Sequence, residues 1–192
     1  MEESLWDIEN SDNYKKYVDI NSFAKYYVVA ESSGNLNPNR FYVLKNKESK
    51  LEIYPFWDAE WSFGLARLSA PEGPTSKWLR YPYEPMPANE PFFEGLRYYQ
   101  YLKRSTEFRR AVREEWQKYK PKIPEAEMQI KNIALSLADA QVDNFKKWDI
   151  LNEYVGCCLV AFGNWQDEVD YTFGWFNERI KWFDSYINDW DK

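Results

Sequence analysis

Asn164-Trp-Gln-Asp-Glu-Val-Asp-Tyr-Thr-Phe-Gly-Trp-Phe-Asn-Glu-Arg-Ile-Lys-Trp-Phe-Asp-Ser-Tyr-Ile187 is the stretch on which the fold class turns. Val169, Phe173, Phe176, Ile180, Phe183 and Ile187 recur at steps of four, three, four, three and four. That spacing lines them up along one side of an α-helix, and Asn164 is a suitable N-cap for it. The stripe resembles a coiled-coil seam, but its length suits a helix packed within its own domain. A helix that apolar on one side needs partners, and the sequence N-terminal to it supplies them. Ser105 can cap a helix carrying Phe108, Val112 and Trp116 at steps of four. Pro124 suits the first turn of a long helix bearing Ile130, Ile133, Leu137 and Ala140. Asp149 is expected to cap a further helix containing Cys157.

Towards the N-terminus the pattern changes. Asp19 reads as the N-cap of Ile-Asn-Ser-Phe-Ala-Lys-Tyr-Tyr-Val-Val-Ala-Glu-Ser-Ser, with Phe23, Tyr26, Tyr27 and Ala30 at helical spacing and Gly34 as the stop. Two strand-like runs follow, residues 40–45 and 50–54, joined by Asn46-Lys-Glu-Ser49, which is a hairpin pattern. Pro71, Pro74, Pro82, Pro85, Pro87 and Pro91 then make unbroken helix or strand implausible. Residues 1–18 read as a polar arm and 19–192 as a single domain. The expected fold class is α+β, mostly α: a β-hairpin with a preceding helix, backed by a helical bundle.

Composition excludes several chemistries. The chain has 192 residues, enough for one domain with a core. It contains no histidine, which removes Ser-His and Cys-His nucleophiles and histidine-ligated metals. With 7 glycines and no GxGxxG or GxxxxGK[ST] spacing, the Gly-rich phosphate loops are absent. The net charge of −6 disfavours binding to a nucleic-acid backbone. Lys103, Arg104, Arg109, Arg110 and Arg113 alternate with Glu107, Glu114 and Glu115 and are expected to form a solvated helix face. The two cysteines, Cys157 and Cys158, are adjacent in an apolar run and read as buried small hydrophobes. No run of 18 apolar residues exists to span a membrane, and Met-Glu-Glu-Ser-Leu-Trp-Asp-Ile-Glu-Asn at the start lacks the apolar segment of a signal peptide. The compartment stays open.

What could carry chemistry is concentrated in Ile53-Tyr-Pro-Phe-Trp-Asp-Ala-Glu-Trp-Ser-Phe-Gly64. Asp58 and Glu60 lie two residues apart where a strand gives way to a loop. In extended chain such a pair points to one side. Phe56, Trp57, Trp61 and Phe63 surround them, and dehydration by those rings would raise a carboxyl pKa unless a cation or a hydrogen bond compensates. A divalent ion such as Mg²⁺ favours carboxylate oxygen and keeps several of its waters. The plainer alternative has the carboxylates capping local N–H groups while the tryptophans fill core.

These pieces together resemble the CotH kinase family, the spore-coat atypical kinases and their relatives. Asp19-Ile-Asn-Ser-Phe-Ala-Lys-Tyr-Tyr-Val28 and Glu31-Ser-Ser-Gly-Asn35 are similar to that family's D-x-x-S-F-x-x-Y…E-x-x-G-N helix. Phe41-Tyr-Val-Leu-Lys45 is similar to its following strand. Pro55-Phe-Trp-Asp-Ala-Glu-Trp-Ser-Phe-Gly64 resembles its P-x-W-D-x-D/E-x-x-x-G signature. Phe108…Trp116, Ser136…Asn144…Trp148 and Glu168-Val-Asp-Tyr171…Arg179-Ile-Lys-Trp182 resemble later motifs, in the same order.

The resemblance implies a kinase-like fold that uses ATP and Mg²⁺ to phosphorylate Ser or Thr of a protein partner. It implies metal-holding roles for Asp58 and Glu60 and a cofactor-side role for Asn35. The family's catalytic Asp follows its G-N pair as G-N-x-D. Here that position is Asn37, which cannot take a proton from a hydroxyl near neutral pH. The family also carries a substantial segment before the first helix, and 18 residues precede Asp19 here, so the chain is expected to correspond to the family's C-terminal part. Family members are often spore-coat or exported proteins. Two other readings compete: a non-catalytic interaction or structural protein on the same fold, and a carbohydrate-handling domain that uses the many aromatic rings. For the last, Asp58 and Glu60 would have to converge to the roughly 5–5.5 Å of a retaining glycosidase pair. Trp175 and Trp182, seven residues apart on one helix, are expected to pack in a core rather than stack a sugar.

Overall fold

The structure is a computed structural model, and it describes residues 12–35, 42–59, 62–64, 97–153, 155 and 161–190. It is mostly helical with one two-stranded antiparallel sheet, as the α+β reading expects. Helix α1, Ile20–Ser33, is the central element. It packs against the hairpin on one side and against two later helices on the other. The Asp19 side chain accepts the Ser22 N–H at 2.8 Å, satisfying one of the free donors of the first turn. Gly34 ends the helix at φ 62°, ψ 40°, a left-handed position that glycine reaches at little cost. Phe23, Tyr26, Tyr27 and Ala30 are buried as the spacing predicts, with Ile20 beside them. Val28 is buried too, and Tyr26 packs on Phe56 of the loop after β2.

Strands β1 (Val43–Leu44) and β2 (Glu52–Ile53) pair antiparallel, Val43 opposite Ile53. Each is far shorter than the runs 40–45 and 50–54 expected from sequence, and residues 36–41 lie outside the described chain. The reason lies in the turn and in the docking. Lys45 Nζ bonds the carbonyls of Asn46 and Ser49, so the lysine closes the loop. Ile53 N–H donates to Ser22 Oγ (3.2 Å) and Asp19 N–H to the Leu51 carbonyl (2.9 Å), which pins the hairpin to the first turn of α1. Within the segment read as a polar arm, residues Asp12–Lys16 form a 3₁₀ turn. Tyr14 (3% exposed) and Val18 are buried, the latter bridging to Leu51.

Helix α2 (Arg97–Arg104) leads into α3 (Thr106–Tyr119), whose Ser105 cap and buried Phe108, Val112 and Trp116 are as expected. The basic residues there do more than face solvent. Lys103 Nζ reaches the Tyr186 hydroxyl, Arg109 donates to the carbonyls of Lys103 and Arg104, and Arg113 donates to the carbonyl of Ile187. Three of the five cations expected on a solvated face are therefore spent on closing α2 and on holding the last helix.

A 3₁₀ turn at Lys120–Lys122 leads to α4 (Ile123–Ser136) and α5 (Ala138–Lys147), with Pro124 in the first turn of α4. The single long helix expected here is broken at Leu137 (φ −92°, ψ −3°). Its N–H is shared between the carbonyls of Ile133 and Ala134, while the Ser136 hydroxyl donates to the Ile133 carbonyl at 2.7 Å. That competition for one carbonyl bends helices at serine. Neither α4 nor α5 has a buried residue, so Ile133 and Leu137 lie on the surface and not in the core.

Asp149 starts no helix. Trp148 leaves the helical region, and the bonds Ile150 N–H to Trp148 O and Glu153 N–H to Ile150 O close tight turns instead. Gly163 N–H then pairs with the Leu151 carbonyl, fixing the chain for the next helix. Cys157 and Cys158, and the proline-rich stretch 71–91, lie outside the described residues.

Helix α6, Trp165–Asn188, begins at Asn164, whose side chain accepts the Asp167 N–H (2.9 Å). Its C-terminal half inserts into the core. Tyr27 sits at the centre, with ring centroids of Tyr99, Trp190 and Phe108 at 5.4, 5.6 and 5.9 Å. Trp116 meets Phe183 edge-on at 5.0 Å and donates its indole N–H to Asp184 at 2.7 Å. Aromatic pairs in such tilted and edge-on arrangements are worth about 0.5–1.5 kcal/mol each beyond burial. No helix of the described residues is long and apolar enough to cross a membrane.

Candidate functional site

Of the residues singled out in the sequence, Asn35 follows the end of α1 and Asp58 lies in the loop after β2, a loop whose far end is fastened to α1 and to α6. Asn35 follows Gly34 and is fully buried, its N–H bonded to the Ala30 carbonyl at 2.9 Å. Asp58 lies in the loop leaving β2 and is partly exposed. Its φ is 60°, a left-handed conformation that Asp and Asn tolerate better than most residues. The argument that Asp58 and Glu60 share one side assumed extended chain, and the backbone at Asp58 is not extended. Glu60 and Asn37 both lie outside the described residues.

The aromatic residues around Asp58 divide their work. Phe56 packs on Tyr26 of α1 (5.7 Å) and Phe63 meets Phe176 of α6 edge-on (5.6 Å). Trp57, expected among the rings that enclose the carboxylate, is 54% exposed and leans on Tyr42 of the hairpin. Asp58 therefore keeps access to water on that side.

Three contacts fasten the far end of this loop. Phe63 N–H donates to the Ser33 carbonyl at 2.8 Å, two residues before Asn35. The Tyr171 hydroxyl donates to the Gly64 carbonyl at 3.1 Å. Gly64 itself lies flat against Trp175: a Cβ there would be 2.4 Å from the indole, and its φ is 73°. Only glycine satisfies both demands. Beside them Ser62 is buried with a hydroxyl that finds no hydrogen-bond partner among the described residues.

Sequence reasoning missed the group that ties these parts together. Arg179 of α6 and Glu31 of α1 are each 0% exposed and form an ion pair, Nη2 to Oε1 at 2.7 Å. Arg179 Nε also donates to the Glu31 backbone carbonyl at 2.8 Å. The guanidinium lies 4.1 Å above the Trp182 ring and 5.8 Å from that of Trp175. Burial pulls the arginine down to about 10, with the Glu31 carboxylate resisting that fall. The signal was present: Glu31 and Arg179 each interrupt an apolar stripe, Glu31 one turn after Tyr27 and Arg179 between Phe176 and Phe183. Two opposite charges at core positions on two helices are a pair in waiting. Trp175 is buried and Trp182 stacks on Tyr186 at 4.6 Å, so both tryptophans pack within the protein, as expected.

Chemically, the arrangement offers one partly exposed carboxylate, Asp58, on a loop whose far end is bonded to Ser33, two residues before the buried Asn35. Among the described residues no group of three or more acidic or cysteine side chains converges as a preformed metal cage. A carboxylate with open sides suits an ion that retains water and takes further ligands from a phosphate.

No curated protein and no solved structure gives a significant match to this sequence. The family model described as CotH kinase protein matches residues 3–183, which takes in α1, the hairpin, the Asp58 loop and all but the last residues of α6. The chain belongs to the CotH kinase family.

Proposed function

We propose that this chain is a kinase-related domain that binds ATP with Mg²⁺ at the Asp58 loop and acts on, or docks to, a protein partner. The observation that carries the reading is the Phe63–Ser33 hydrogen bond, which fastens the loop bearing Asp58 to the end of α1 bearing Asn35. In kinase chemistry the phosphates are held by a metal on an Asp and an Asn from separate segments. Here Asp58 would supply the charged ligand and Asn35 the neutral one. Mg²⁺ would supply charge neutralisation of the phosphates. Partial exposure of the Asp58 carboxylate supports access for such a ligand.

Asn37 stands where the family carries its proton acceptor. This favours a domain that holds nucleotide and transfers phosphate slowly or not at all. The test is a thermal melt of the chain with ATP, with Mg²⁺ and with both. Ligand at a hundred times its Kd adds about 2.7 kcal/mol to stability. Stabilisation is expected only with both together, and it should vanish in Asp58→Asn. Equal melts under all conditions overturn the reading. Phosphate transfer to a protein acceptor at rates ordinary for kinases overturns the role given to Asn37.

A further inference from the structure

Arg179 lies on α6, away from the Asp58 loop in sequence; it grips the end of α1 directly and meets the Asp58 loop through Trp175 of its own helix. Its two bonds to Glu31, one to the carboxylate and one to the carbonyl, grip the last turn of α1. The same Glu31 carbonyl accepts the N–H of Gly34, directly before Asn35. On its other side Arg179 faces Trp175, and Trp175 is the surface against which Gly64 closes. Tyr171, two turns before Arg179 on α6, holds the Gly64 carbonyl. One guanidinium thus supports the turn at Asn35 directly and, through the Trp175 ring, backs the anchored end of the Asp58 loop.

Buried ion pairs are a poor source of stability, since well-packed apolar residues often do as well. What the pair provides here is geometry: a planar fork that accepts only one placement of the Glu31 turn. We propose that Arg179 is a positioning residue for the metal–nucleotide site, setting the Asn35 turn and the Asp58 loop at their working separation without touching the ligand. This rests on the function proposed above.

The probe is Mn²⁺, its binding to the full chain in the presence of ATP followed by electron paramagnetic resonance. Melting temperature and near-ultraviolet circular dichroism establish folding in parallel. The variant Glu31→Met/Arg179→Met replaces the pair by apolar side chains. It is expected to fold and to bind Mn²⁺ about tenfold or more weakly, the scale seen when residues that orient a ligand are lost. Arg179→Lys keeps a cation for Glu31 but loses the fork, and Tyr171→Phe releases only Gly64. Each should weaken Mn²⁺ several-fold while remaining folded, and Arg179→Lys decides the matter if the double variant does not fold. A purely structural Arg179 would change the melting temperature and leave the Mn²⁺ affinity of folded protein untouched. Wild-type affinity in the folded variants overturns the positioning role alone. A wild-type chain that binds no Mn²⁺ overturns the proposed function, and the positioning role with it.

Discussion

Replacing Arg179 by methionine removes the cation from the core and leaves the Glu31 carboxylate buried opposite a thioether. The two groups are fully buried and 2.7 Å apart, so no water is at hand to take the cation's place. Breaking such a pair from one side costs about 3–5 kcal/mol, because one charge stays uncompensated. The carbonyl of Glu31 loses a donor as well, and the Trp182 ring loses a cation contact of about 0.5–2 kcal/mol, while the buried methionine stem returns part of that. We therefore expect a net loss of about 3–5 kcal/mol. For a chain of this size each kcal/mol moves Tm by about 2–4 °C, so the melt should fall by about 6–20 °C. Urea unfolding followed by tryptophan fluorescence measures the difference directly, provided the slope with denaturant is unchanged. The companion Glu31→Met/Arg179→Met should recover most of the loss, since both charges are then gone. A single variant within about 1 kcal/mol of wild type, or a double variant no better than the single, would refute the argument that these residues form a desolvated pair.

Gly64→Ala should destabilise by about 2–4 kcal/mol, combining a left-handed alanine with a Cβ driven into the Trp175 indole, and equilibrium unfolding reads it. Asp58→Asn, by contrast, should remain folded, since asparagine accepts the same backbone conformation. In alkali the chain should lose stability as pH rises from about 10 to 12. Burial pushes Tyr26 up to about 12 and Tyr27 well above 10, and burial with the Glu178 charge raises Tyr171. A phenol raised in the folded state stabilises fully below 10 and loses that contribution as pH passes its folded value. Arg179, held at about 10, works in the opposite sense over the same range, because there the unfolded chain binds the extra proton. Three phenols outweigh one guanidinium, and Tyr27→Phe should flatten the decline in a pH series of urea midpoints.

Local signals in the sequence were dependable where one side chain decides. Asp19, Ser105 and Asn164 cap helices because each carboxyl, hydroxyl or amide reaches an N–H within its own first turn, which needs no knowledge of the rest of the fold. Gly34 stops α1 for an equally local reason. Failures came where partners distant in sequence decide. Asp149 has the same capping chemistry as Asp19, but Gly163 captures the Leu151 carbonyl and the chain turns instead. The apolar residues of α4 promised a core stripe, but its Lys131, Ala134 and Leu135 border an open hollow against the first half of α6 and no residue of the helix is buried. At the candidate site, Asn35 and Asp58 were named from motifs, and one hydrogen bond, Phe63 N–H to the Ser33 carbonyl, ties the loop after β2 to the end of α1. The Glu31–Arg179 pair that supports them went unrecognised because charges at core positions are rare enough to be read as exceptions. Their meaning appears only when both helices are seen together.

The most direct test is calorimetric titration of ATP into the full chain at saturating Mg²⁺, repeated on Asp58→Asn and without the metal. The account predicts saturable heat with the wild type, none without Mg²⁺, and none with the variant while it remains folded. A wild-type titration that gives only the heat of dilution, or an Asp58→Asn titration that matches the wild type, would contradict it.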